Sequence, residues 1–242
     1  MGEIKERPII CNSESVLAIL AESKTQTRRT CGLEDVNKNP GIWTFDYVGE
    51  LGYMTKKSAM GKWGAYFTTK QIEDRTMHIC PQKCPYGKPG DRLWVREIWR
   101  LTLLGDSTFV YYRAGGGEDD EYLGDGWQDL TLHHIPEEQL DRYLGRPGWC
   151  SPIHMPRWAS RLLLEITDIR VERVRDITEE DIKAECVSIA TLSPTGSGFS
   201  ATYKIAFKYT WNAINKKRGY GWDVNPWVWV IIFKMITPGS QP

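Results

Sequence analysis

Apolar residues recur along this chain mostly in short alternating runs, with brief stretches of helical spacing between them. The longest alternation is Leu162, Leu164, Ile166, Ile169, Val171 and Val174, a strand pattern interrupted near Thr167-Asp168. Arg92-Leu93-Trp94-Val95-Arg96-Glu97 follows the turn signal Lys88-Pro89-Gly90-Asp91 and reads as a central strand. Residues 108–113 are rich in β-formers and are expected to pair nearby. Residues 7–11 read as an entering strand and 227–235 as a closing one. The alternating Trp43, Phe45 and Tyr47 predict another strand, with 65–68 as its partner. Helical spacing appears in Val16, Leu17, Ile19 and Leu20, capped by Asn12 or Ser13, and again over 136–144 and 206–215. A further helix starts at Thr178, with Glu179, Glu180 and Asp181 in its first turn, and runs to about Glu185. Gly219-Tyr220-Gly221-Trp222 turns. The glycine-rich acidic stretch 115–129 and the Ser/Thr/Gly/Pro-rich stretch 188–202 read as loops. The expectation is a mostly β chain with helices (α+β), built as one small barrel over 1–242.

Composition narrows the function classes. Lysine plus arginine equals aspartate plus glutamate at 31 each, which argues against an indiscriminate grip on long nucleic acid and permits a local basic pocket. Six cysteines (Cys11, Cys31, Cys80, Cys84, Cys150, Cys186) without a recognisable signal peptide fit reduced thiols and a cytoplasmic setting. No apolar run approaches the ~18 residues of a membrane span. Eleven tryptophans exceed what packing alone needs, so some are candidates for stacking surfaces.

The densest candidate chemistry is Lys24-Thr25-Gln26-Thr27-Arg28-Arg29, where three cations and two hydroxyls follow the first helix. One helical turn here would place the Lys24 amine and the Thr27 hydroxyl on the same side. Such a pair can activate a hydroxyl, or the six residues can hold a phosphate by charge and hydrogen bonds. A solvated basic turn fits the same residues.

The order of motifs resembles the ASCH family of PUA-like barrels: Lys24-x-x-Thr27-x-Arg29 after a first helix, then Pro89-Gly90-Asp91-x-Leu93-x-Val95, then the long strand feeding Asp176-Ile177-Thr178-Glu179-Glu180. Cys84 to Glu97, Met155-Pro156-Arg157-Trp158-Ala159-Ser160-Arg161 and Arg218-Gly219-Tyr220-Gly221-Trp222-Asp223 resemble segments of phage and prophage members described as morphogenetic. The Lys-x-x-Thr spacing is also similar to that of small bacterial ASCH enzymes that hydrolyse N(4)-acetylcytidine. This chain is longer than those, with insertions around 31–62, 103–149 and 188–202. The resemblance implies an amidohydrolase in which Thr27 is or positions the nucleophile. Lys24 is the base, relieved of its charge by burial beside Arg28 and Arg29, and Glu185 orients Lys24 or returns a proton to the leaving amine. Arg28, Arg29, Glu97, Trp94, Trp158 and His154 are expected to bind the substrate. No cofactor is implied, and the expected partner is a nucleoside or RNA, with protein partners if the chain is phage-encoded. A non-catalytic modified-base or RNA binder and a scaffold for phage assembly or host interaction are the alternatives. Some members are reported to cleave RNA, which adds a ribonuclease as a further alternative ranked behind these.

Other constellations compete less well. His78, Cys80 and Cys84 supply three soft ligands, one short of a zinc site unless Cys31 or Cys150 joins. Glu118, Asp119, Asp120 and Glu121 lack the spacing of a calcium loop. His133-His134 is expected to be solvent-exposed, Cys150 and Cys186 have no paired histidine nearby in sequence, and Trp94, Trp158 and Trp222 serve a core as readily as a base. No phosphate loop, dinucleotide fingerprint or serine elbow is present.

Overall fold

The computed structural model describes residues 3–52, 57, 59–70, 77–105, 107–115, 127–129, 135, 137–187 and 203–236. The acidic residues 118–121, His133, His134 and the 188–202 loop lie outside them. The elements run β1 (Glu6–Ile10), α1 (Ser13–Leu20), β2 (Gln26–Arg29), α2 (Glu34–Asn37), β3 (Trp43–Glu50), β4 (Trp63–Lys70), β5 (Met77–Lys83), β6 (Arg92–Arg96), β7 (Trp99–Leu104), β8 (Ser107–Tyr112), β9 (Trp127–Asp129), α3 (Glu137–Asp141), β10 (Leu163–Arg173), α4 (Glu179–Ala184), α5 (Tyr203–Asn215) and β11 (Trp227–Ile236). The chain is mixed α+β and mostly strands. These form a five-stranded sheet of order β1-β6-β10-β11-β2 and two three-stranded sheets, β3-β4-β5 and β7-β8-β9. Among the described residues no sheet closes into a barrel, and no helix is long and apolar enough to cross a membrane.

Two compact units share these elements. The first is Met1–Lys5, Ser23–Asp91 and Ile166–Lys234; the second is Glu6–Glu22, Arg92–Glu165 and Met235–Pro242. In the first, α4, α5 and β11 enclose a core of Ile182, Phe207, Trp211, Trp222, Val228 and Val230. A second aromatic group joins Phe45, Phe67 and Trp227, with ring centroids 5.2 to 6.4 Å apart. In the second unit, Trp99, Leu101, Val110, Tyr112 and Met155 form the core.

Local signals explain most element ends. Asn12, rather than Ser13, caps α1: its side chain accepts from the Ser15 amide at 3.0 Å. Thr178 caps α4 by accepting from the Asp181 amide at 3.1 Å. β10 is continuous through Thr167-Asp168, but the two consecutive exposed residues move its buried positions from Leu164 and Ile166 to Ile169 and Val171. The sequence interruption is therefore a change of face, not a break.

Candidate functional site

Residues 26–29 form a strand, not the helical turn considered above, and this changes which side chains meet. β2 pairs antiparallel with β11, Arg28 opposite Val230 and Thr27 opposite Ile231. Its ladder extends to the Phe233 amide donating to the Thr25 carbonyl at 2.9 Å. Strand alternation puts Lys24, Gln26 and Arg28 on one side and Thr25, Thr27 and Arg29 on the other. The first side meets α4, which also takes a hydrogen bond from the Thr25 amide at the Ala184 carbonyl, 3.0 Å away.

Three cations and three carboxylates converge there. Lys24 Nζ donates to Glu185 Oε2 at 2.8 Å and to the Glu185 carbonyl at 2.9 Å. Arg28 donates from Nε and Nη2 to Glu172 Oε1 at 2.8 and 2.6 Å, from Nη2 to Asp181 Oδ2 at 2.9 Å, and from Nη1 to Glu185 Oε1 at 3.2 Å. Arg170 Nη2 reaches both Asp181 oxygens at 2.8 and 2.9 Å, and its Nε reaches Glu172 at 3.2 Å. Gln26 completes the group by donating to the Asp181 carbonyl and carboxylate at 2.8 and 3.0 Å. The helix spacing of Asp181 and Glu185, and the strand spacing of Arg170 and Glu172, put each pair on one face. The Arg28 side chain is 1% exposed, with all of its forked donors directed at carboxylates. Arg28, expected to bind substrate, is thus the hub that ties β2 to α4 and β10.

Electrostatics follow from this geometry. Burial alone would raise the Asp181 carboxyl, but hydrogen bonds from Gln26 and Arg170 and the charges of Arg28 and Arg170 more than offset it, holding the pKa at about 2. Glu172, Arg170 and Gln26 were not anticipated as part of the site. The only sequence signal was the polar pair Arg170 and Glu172 alternating with the apolar Ile169 and Val171.

Thr27 is buried on the opposite side of β2, and among the described residues no hydrogen bond joins it to Lys24. Arg29, half-buried on that same side, lies near Tyr86 and Cys31. Burial pushes the Tyr86 phenol up, with the charges of Arg29 and Arg218 acting against it. Burial, reinforced by Glu34, likewise raises the Cys31 thiol while Arg218 and Arg29 pull it down.

Glu97, Trp94, Trp158 and His154 belong to the second unit. Glu97 is buried and accepts from Arg161 Nε and Nη2 at 2.9 and 3.0 Å. Arg161 also donates to the Ala114 carbonyl and lies 4.2 Å over the Tyr112 ring. Burial raises the Glu97 carboxyl, against the pull of Arg161. Trp94 is buried with the Arg96 guanidinium 4.7 Å from its ring centroid. Trp158 packs edge-on against Trp99 and donates to Gln139 at 2.8 Å. The exposed His154 offers its carbonyl to the Tyr143 hydroxyl.

Cys80 accepts from Gln82 Nε2 at 3.0 Å and Cys84 is buried. Cys150 pairs through its backbone with Trp99, and the exposed Cys186 thiol lies 3.4 Å from the Ser23 hydroxyl. Among the described residues no three His, Cys, Asp or Glu side chains gather in an arrangement able to hold a metal ion. No family model, curated protein or solved structure matches the chain.

Proposed function

We propose that the chain is an ASCH-type, PUA-like protein that binds a nucleobase or nucleoside and deacylates an exocyclic amide of the N(4)-acetylcytidine kind. The observation that carries this reading is the Lys24–Glu185 contact. The two residues lie 161 positions apart, were paired by motif resemblance alone, and meet at 2.8 Å with side chains 7% and 8% exposed. A cation and a carboxylate so placed, away from bulk water, can polarise an amide carbonyl and pass a proton to its leaving nitrogen. Hydrolysis then breaks the C–N bond: water supplies the oxygen retained by the acid product, and the exocyclic amine leaves protonated. Thr27, on the opposite side of β2 from Lys24, takes no part in this scheme, and water is the attacking group.

A second reading, in which Lys24 and Glu185 lock two elements together and the chain binds a modified base or RNA without chemistry at this pair, is favoured by one feature. Lys24 Nζ already bonds two acceptors of Glu185, which Arg28 in turn engages. Salt-bridged residues of this kind also serve purely as a lock between elements.

Hydrolysis of N(4)-acetylcytidine, followed by its ultraviolet shift, separates the two. Turnover by the native protein that falls at least about a hundredfold in Lys24→Ala and Glu185→Gln supports the enzyme, this being the scale of general acid–base assistance. Thermal stabilisation by the nucleoside without turnover supports the binder. Neither effect overturns both.

A further inference from the structure

Residues 188–222 hold five cations, Lys204, Lys208, Lys216, Lys217 and Arg218, and no carboxylate, in a chain whose cations and acids balance at 31 each. The described part of this stretch is α5 and the turn after it. α5 buries Ala206, Phe207, Trp211 and Asn215, so its opposite side is outward. The four-residue spacing sets Ile205, Tyr209 and Ala213 in one outward row and, along its edge, Lys204, Lys208 and Asn212, continued by Lys216; in that edge row Lys208 and Asn212 are half-exposed and Asn212 accepts from the Trp222 amide at 2.8 Å. Tyr209 is 63% and Ile205 41% exposed, and Lys204, Lys216, Lys217 and Arg218 are exposed. Asp223 lies 3.5 Å from Lys208, but it is itself mostly exposed and shared with Arg175 at 3.6 Å. Such a solvated pair neutralises little. On α4, Glu179 is taken by Lys183, whose ammonium lies 4.9 Å over the Tyr203 ring.

We infer that this outward side of α5 binds single-stranded nucleic acid, the lysine row on successive phosphates and Tyr209 stacked on a base. Four residues of helix rise about 6 Å, a step that a flexible sugar–phosphate backbone can follow. An exposed aromatic ring beside a row of cations is the combination that holds single strands without reading sequence. A membrane surface fits less well, because it wants a broad apolar side and the large apolar residues exposed on α5, Ile205, Tyr209 and Ile214, are few and do not share one row. The inference does not depend on deacylation at Lys24.

Fluorescence anisotropy with labelled RNA and DNA strands of about 12 nucleotides, between about 50 and 200 mM potassium chloride, tests it. The native protein should bind with a log Kd against log salt slope of magnitude about 3, equivalent to roughly four phosphate contacts. The triple variant Lys204→Glu, Lys208→Glu, Lys216→Glu should lose at least about 30-fold in affinity and about 2 in slope. Tyr209→Ala should lose about tenfold with the slope unchanged, because stacking releases no counterions. Lys204 and Lys216 are exposed and Lys208 is half-exposed, and an unchanged thermal midpoint verifies that the variants fold. The triple variant should keep the native protein's response to N(4)-acetylcytidine, which separates this surface from the proposed site. Absence of strand binding at low salt, equal binding by native and triple-variant proteins, or binding to phosphatidylserine vesicles but not to strands would each overturn it.

Discussion

Arg28 directs every forked donor it has at carboxylates: Glu172, Asp181 and Glu185. Removing a partner from a buried ionic cluster leaves uncompensated charge behind, a larger loss than the pair's own net contribution. Arg28→Ala should therefore lower unfolding stability by about 3–5 kcal/mol, seen as a reduced denaturant midpoint at unchanged slope. Arg28→Lys should recover only part, since an ammonium cannot fork across three carboxylates. A loss below about 1 kcal/mol in the alanine variant would mean that the cluster contributes no more than an exposed pair. The sequence shows Arg28 and Arg29 as equivalent neighbours. Which one points at α4 is decided by strand parity, and a helical turn at 24–27 implies a different parity. Lys24 and Glu185 were paired only through the family resemblance, and the role of Arg28, whose partners lie 144 to 157 residues away, had no such guide.

Among the elements, those with strong local chemistry were legible: α1 and α4 from their caps, β6 from the Pro89-Gly90-Asp91 turn, and β10 from its long alternation. β5 was not. It carries Pro81 and little apolar alternation, and it forms only because it is the outer strand beside β4, where a missing amide donor is tolerated. β7 was missed because its partner β8 held the stronger pattern. Within the β3-β4-β5 sheet, Gly64 is a position that packing fixes. A β-carbon there would overlap the Gln82 carbonyl of β5 and come within 2.8 Å of the Leu51 side chain. Backbone cannot yield as a flexible side chain does, so Gly64→Ala should cost about 1–3 kcal/mol, as overpacking does, and lower the thermal midpoint. Gly41, with open space where a β-carbon would go, serves as the control: Gly41→Ala should change stability by less than about 0.5 kcal/mol. Equal effects at the two glycines would show that β4 and β5 are less closely packed than this register requires.

For the molecule as a whole, equal totals of 31 cations and 31 acids conceal an uneven placement, with a balanced and largely shielded cluster at β2, α4 and β10 and a cationic row on α5 that meets only the exposed Asp223. Acid tests the cluster. The folded pKa of Asp181, about 2, lies below the ordinary 3.8. A depressed carboxyl binds its proton more weakly in the folded state, so its stabilisation is complete above the unfolded value and fades as pH falls through the folded one. Comparing the native protein with Asp181→Asn cancels the groups the two share. Their thermal midpoints should differ by a constant amount above a pH of about 5, and the gap should close as pH falls from about 3.8 towards about 2. Because Asp181 is only partly shielded from water, added salt should narrow the plateau gap and raise the lower edge of the window in which it closes. A gap that persists at pH 2 would mean that the asparagine acts through lost shape, not lost charge. One that closes between pH 6 and 8 would assign the effect to a different titrating group.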